Sequence, residues 1–134
     1  EKIAQPLAAQ SIDLIYLLAP TTTKERSKEI VEVASGFLYY VSLKGITGAD
    51  HFDSVEVTRK VKELKELTDL PICVGFGIKD GETAKKIAPY ADGIVVGSAF
   101  VDLVAKGGSP SEISARLKEK ASELRVAIDS TKVS

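Results

Sequence analysis

The chain has 134 residues, enough for one compact domain with a core of its own. Its formal net charge of −1 excludes a basic surface for nucleic acid or anionic membrane, and no apolar run approaches the roughly 20 residues of a membrane span. No secretory leader is visible, and the one cysteine, Cys73, has no disulfide partner; both point to the cytoplasm.

Glu1 to Gln10 is helix-prone and opens without a methionine, in what reads as mid-helix. Ile12 to Leu18 is expected to be a strand, followed by the loop Ala19-Pro-Thr-Thr-Thr23. Thr22 and Glu25 have capping-box spacing, which predicts a helix that stops at Gly36, a good left-handed terminator. Phe37 to Ser42 is the second strand, and Leu43 to Asp53 a longer loop. A helix is expected from Ser54 to Thr68, with Val57, Val61, Leu64 and Leu67 at helical spacing. Ile72 to Phe76 is the third strand and ends in Gly75-Phe-Gly-Ile78. Asp80 or a neighbour starts a short helix that must stop near Pro89.

Ile94, Val95 and Val96 form a β-branched run that suits a strand buried on both faces. Gly97-Ser98 breaks it, and Ala99 to Ala105 reads as a short helix ended by Gly107-Gly108. Ser109-Pro-Ser-Glu112 combines an N-cap serine, proline at the first helical position and a capping-box glutamate. The last helix uses Ile113, Leu117, Ala121 and Leu124, and frays after Ile128. A helix followed by four strand-helix units predicts an α/β fold with a parallel sheet, residues 1–134 forming a single unit.

In such a fold the loops leaving the strand C-termini share one side, where sites form. Here they hold Pro20 to Thr23, Gly45 to Gly48, Gly75 to Gly77, and Gly97-Ser98. Each glycine loop is either a tight turn or part of an anion cup. Glycine lets backbone approach an anion, and the amides of a first helical turn point at it. Phe76, Tyr39 and Leu17 are either core or an apolar wall beside that cup, which would suit a flat substrate carrying a phosphate. Acid-base groups are scarce on this side. Asp13 is at the wrong strand end, Asp50, His51 and Asp53 in the long loop are either useful titrating groups or solvated loop charges, and Asp80 reads as a helix cap. Lys44 and Lys79 either screen a phosphate or solvate a loop. One histidine and one cysteine make no zinc site, so neither a metal nor a cofactor is expected.

Three strings are specific in their order and spacing: Tyr39-Tyr-Val-Ser-Leu-Lys-Gly-Ile-Thr-Gly48, Val74-Gly-Phe-Gly-Ile78 and Val96-Gly-Ser-Ala99. With Leu14 to Thr22 they make nearly the whole chain resemble the C-terminal half of the tryptophan synthase alpha subunit family. The resemblance implies strands five to eight of a TIM (βα)8 barrel, parallel strands with outer helices. It implies a lyase of tryptophan biosynthesis that cleaves indole-3-glycerol phosphate to indole and glyceraldehyde 3-phosphate, with the tryptophan synthase beta subunit as partner. Gly48, Gly77, Gly97 and Ser98 match the family's phosphate ligands. Leu17, Tyr39, Phe76 and Val95 match its indole pocket, and Thr47 its mobile lid loop. The family's catalytic glutamate and aspartate lie on early strands and have no counterpart here, so the 134 residues alone are expected to be inactive.

A barrel of this type needs about 250 residues. The chain is therefore either an isolated half-barrel or part of a longer enzyme, with the mid-helix start favouring the latter. The missing N-terminal half-barrel, or a second copy of this chain, is the expected structural partner. Two rivals stand beside the lyase: a non-catalytic half-barrel that binds phosphate or self-assembles, and another phosphate-binding barrel enzyme.

Overall fold

A computed structural model describes residues 3–42, 54–75 and 77–132. Its elements run α1 (Ala4–Ala8), β1 (Tyr16–Leu18), α2 (Lys24–Val33), β2 (Leu38–Val41), α3 (Ser54–Lys65), β3 (Ile72–Gly75), α4 (Gly81–Ile87), β4 (Gly93–Ile94), α5 (Ser98–Ala105) and α6 (Pro110–Asp129). The four strands form one sheet in the order β1-β2-β3-β4, every pair parallel. The expected alternation of strand and helix is therefore present.

Strand periodicity divides the sheet into two unlike faces. Leu18, Leu38, Tyr40, Ile72 and Val74 are fully buried and join Ile30, Val57, Val61, Leu64, Ala84, Ile87 and Leu124 of the helices in one core. Burying each large aliphatic side chain in that layer stabilises the fold by about 1.5–3 kcal/mol. The alternate residues Leu17, Tyr39, Val41 and Cys73 take no part in it. All the helical contributions to the core thus come from one side, and among the described residues the other face of the sheet stays uncovered.

Local signals place several helix starts. Asp80 caps α4 by accepting from the Thr83 amide at 2.8 Å. Ser109 and Glu112 form a reciprocal capping box at the start of α6, with Pro110 at the first position. At α2 the expected capping box is absent: Thr23, not Thr22, is the N-cap and accepts from the Arg26 amide. Thr22 is taken by other partners. Its hydroxyl accepts from the Ala19 amide at 2.9 Å, and its carbonyl accepts from Nζ of Lys60, a lysine only 6% exposed.

Other boundaries shift as well. β1 begins at Tyr16 rather than Ile12, because only Tyr16–Leu18 faces a partner in β2. The second strand shortens to Leu38–Val41, and α3 ends at Lys65 rather than Thr68. Gly36 has the expected positive φ of 71°, but α2 has already ended at Val33, so Gly36 turns the connection and not the helix. The run Ile94 to Val96 is half-buried, not buried on both faces, because β4 is an edge strand.

Candidate active site

The parallel register puts all four strand C-termini at one end of the sheet. The loops 19–23, 77–80 and 95–98 leave from that end. Residues 43–53 and Phe76 lie outside the described residues, and with them the expectations for Gly48, Thr47 and Phe76.

On the uncovered face one row of paired residues runs Leu17, Tyr39, Cys73, Gly93, and Val41 pairs with Gly75 in the next row of that face. Leu17 is 60% exposed, and Tyr39 and Cys73 are half-buried. Two glycines shape this surface. A Cβ at Gly75 would stand 2.5 Å from the Tyr39 hydroxyl and 2.8 Å from its ring. A Cβ at Gly93 would stand 2.9 Å from Cys73 Sγ. Tyr39 and Cys73 therefore lean across the neighbouring strands into space that only glycine leaves free. Ile94 and Val96 pack against the core, so alternation turns Val95 to the open face; its amide continues the ladder by donating to the Val74 carbonyl at 2.9 Å. Leu17, Tyr39 and Val95 thus share one apolar face. Gly75, Gly93 and Cys73 complete its floor. Their packing role on this face is absent from the sequence reading, although each glycine stands in register beside a bulkier residue of the next strand.

No strand residue on this face carries a charge. The Cys73 thiol is pushed up by burial and then by the Asp92 carboxylate, so it stays protonated and is a poor nucleophile. Asp92 works on the helix side. Its carboxylate accepts from the Ile72 amide at 2.9 Å and from Lys65 Nζ at 3.2 Å. Asp80 is held below the usual carboxylate range by the Thr83 hydroxyl and amide, and its role is the cap already described.

The two described glycine turns lie on adjacent strands. Gly77 has φ 76°, a left-handed conformation that a β-carbon would strain, and it is exposed. Gly97 is the N-cap of α5, without a side-chain cap, and a Cβ there would meet nothing within 4 Å. Phe100 and Val101 both donate to the Gly97 carbonyl, at 2.9 and 3.1 Å. The amides of Ser98 and Ala99 come before these first intrahelical bonds and have no backbone acceptor among the described residues, and Ser98 is exposed. α5 begins at Ser98, one residue earlier than expected, which brings that hydroxyl to the helix end. Among the described residues the arrangement offers donors for one anion, and the strands beside it carry no charged acid or base.

A hollow of about 660 Å³ lies elsewhere, between α4 and α6, lined by Asp80, Gly81, Lys85, Glu123 and Val126 among others. It includes none of the residues expected to bind ligand.

The family model described as tryptophan synthase alpha chain matches residues 1–129. Tryptophan synthase alpha chains of Halorhodospira halophila and Marinobacter nauticus are 42% and 44% identical, over 96% and 97% of this chain and 47% and 48% of theirs. Among solved structures, Mycobacterium tuberculosis tryptophan synthase aligns with a TM-score of 0.80 at 33% identity, over 96% of this chain and 46% of that one. The alpha subunit of Campylobacter jejuni aligns at 0.77 with 36% identity, over 89% and 48%. The chain spans about half the length of the curated relatives it matches.

Proposed function

The chain belongs to the tryptophan synthase alpha chain family, and on that premise we propose that it is the binding half of a barrel lyase that splits indole-3-glycerol phosphate into indole and glyceraldehyde 3-phosphate. Gly77, Gly97, Ser98 and Gly48 hold the phosphate. Leu17, Tyr39, Val95 and Phe76 form the wall against the indole ring, and Thr47 belongs to the loop that closes over it. The beta subunit takes up the indole, and the reaction runs in the cytoplasm. The carrying observation is a sheet face without charged strand residues that, among the described residues, ends at two glycine turns and the start of α5.

Carbon-carbon cleavage here needs a proton delivered to the indole ring and one removed from the glycerol chain. Among the described residues the strands of this face carry no charged group for either transfer, and both are assigned to strands that complete the barrel. The edges of β1 and β4, unpaired among the described residues, and a mostly apolar hollow of about 310 Å³ beside β4, lined by Ile94, Val96, Phe100, Leu124 and Ile128 with Arg125 and Ala121, support a missing structural partner. The missing N-terminal half-barrel fills that place. Where only this chain is present, a second copy can meet the same edges, since all strands run parallel.

Mixing the chain with the N-terminal half of an alpha chain relative, and assaying indole release, tests the reading. Activity is expected only in the mixture. Turnover of indole-3-glycerol phosphate by the 134 residues alone would refute the assignment of the catalyst, and an inactive, correctly assembled complex would refute the lyase.

A further inference from the structure

α5 carries the helix-start amides of the proposed cup, yet it is weakly held by its own side chains. It has no buried residue, and Val101 and Val104 are 65% and 48% exposed. Its apolar anchor is Phe100, which packs against the core near the N-terminal end. It has no basic residue in its last turn to answer the partial negative charge of its carbonyls.

Beside the C-cap residue Lys106, a second cation reaches this end from another helix. Arg116 of α6 turns its Nη2 onto the carbonyl of Leu103, at 3.4 Å, and onto that of Gly107. The neighbouring carbonyls are already used: Asp102 accepts from the Lys106 amide and Val104 from the Gly107 amide. Leu103 is thus left for the guanidinium. No carboxylate competes for it. Glu112, one turn earlier on α6, spends its carboxylate on the Ser109 amide, and no ion pair of Arg116 occurs among the described residues. Among the described residues the Nε of Arg116 is buried without a partner, and the hydrogen bonds of this guanidinium are those of Nη2. Gly107 and Gly108, with φ 69° and 109°, form the turn that folds α6 back against α5 and brings Arg116 within reach.

We propose that Arg116 is the positioning residue of the anion cup. It pins the C-terminal end of α5 and so fixes the direction in which the Ser98 and Ala99 amides point. The inference rests on the reading of Gly97-Ser98 as a phosphate site. α5 is about 12 Å long at 1.5 Å per residue, beyond a Debye length at physiological salt. Arg116 therefore acts through the placement of the helix and not through its own field at the anion. With the clamp gone, α5 is free to pivot about Phe100.

The test uses the 134-residue chain, inorganic phosphate as the probe, and the amide resonances of Ser98 and Ala99 as the readout. Arg116→Met is expected to weaken phosphate about five- to tenfold and to speed hydrogen exchange along α5, by loss of a charge-assisted clamp. Arg116→Lys keeps the charge without the fork, so an intermediate affinity is expected, with the ratio to the unsubstituted chain insensitive to salt. Phosphate affinity and α5 exchange both unchanged in Arg116→Met would overturn the proposal. So would complete rescue by Arg116→Lys that disappears on adding salt, since the effect would then be charge at a distance. The cup itself is judged separately: no phosphate-dependent shift in the unsubstituted chain, or undiminished binding by Gly97→Val, would overturn the underlying reading.

Discussion

Gly97→Val separates ligand binding from folding, because the position is crowded by nothing the fold needs. Its φ of −111° is open to any L-residue, and a Cβ there has no neighbour within 4 Å. Valine loses the modest N-cap preference of glycine, so a stability cost of about 1 kcal/mol or less is expected. The ligand fares differently. In the proposed cup an anion takes hydrogen bonds from the Ser98 and Ala99 amides, and the isopropyl group fills the space it would occupy. Hydrogen bonds to a charged group contribute about 1.5–3 kcal/mol each. Losing two weakens a phosphate ester by about a hundredfold or more. Ser98→Ala removes one hydroxyl donor, at about 1–2 kcal/mol, and leaves the backbone amides in place. Calorimetric titration with a phosphate ester, beside a thermal melt of each variant, reads both quantities. A folded Gly97→Val protein with unchanged affinity would remove the cup from this loop.

Two further substitutions examine the open face and the core behind it. Gly75→Ala puts a methyl group 2.5 Å from the Tyr39 hydroxyl, so the ring must swing away while the backbone stays; stability is expected to change by about 1 kcal/mol or less. The near-ultraviolet tyrosine signal should change and indole affinity fall, and neither changing would show that Tyr39 does not lie over Gly75. Tyr40 is fully buried, its hydroxyl has no partner among the described residues, and burial, with Glu56 adding and Arg59 opposing, pushes its pKa from 10.0 up to about 12. The neutral phenol is favoured by folding, so its contribution is complete below pH 10 and is lost as the pH rises towards about 12. Tyr40→Phe should leave neutral-pH stability equal or about 1 kcal/mol higher and flatten that alkaline decline, as urea melts across the range will show; a matching decline in both proteins would refute the assignment.

Local signals were legible in the sequence where their partners are local. The Ser109-Glu112 box and the Asp80 cap involve residues three apart, and both form as read. Thr22 and Thr23 are equivalent at that range. The choice between them is tertiary: Lys60, far along the chain on α3, takes the Thr22 carbonyl. Strand lengths were overestimated for the same reason. Apolar residues continue from Ile12, but a strand needs a neighbour, and β2 offers one only from Leu38. The glycine turns at 77 and 97 were legible as turns because glycine marks a backbone conformation. Gly75 and Gly93 could not, since their role depends on Tyr39 and Cys73 leaning over from adjacent strands. The reach of Arg116 back to α5 depends on how α6 packs, which no local spacing reveals.

The two faces of the sheet divide the work of the proposed enzyme in a way that follows from solvation. An indole ring gains from apolar contact, while an unpaired carboxylate beside it would lose hydration and drift towards its neutral form. Leu17, Tyr39, Cys73 and Val95 therefore make a favourable wall because no acid stands among them. The anion is handled separately at the strand ends, where backbone amides supply donors that need no proton and do not titrate. Such a half can hold both ends of a substrate across a wide pH range and still leave its bonds intact. The groups that must titrate then belong opposite this wall, where strands from the other half can place them near the polar chain of the substrate and away from the ring.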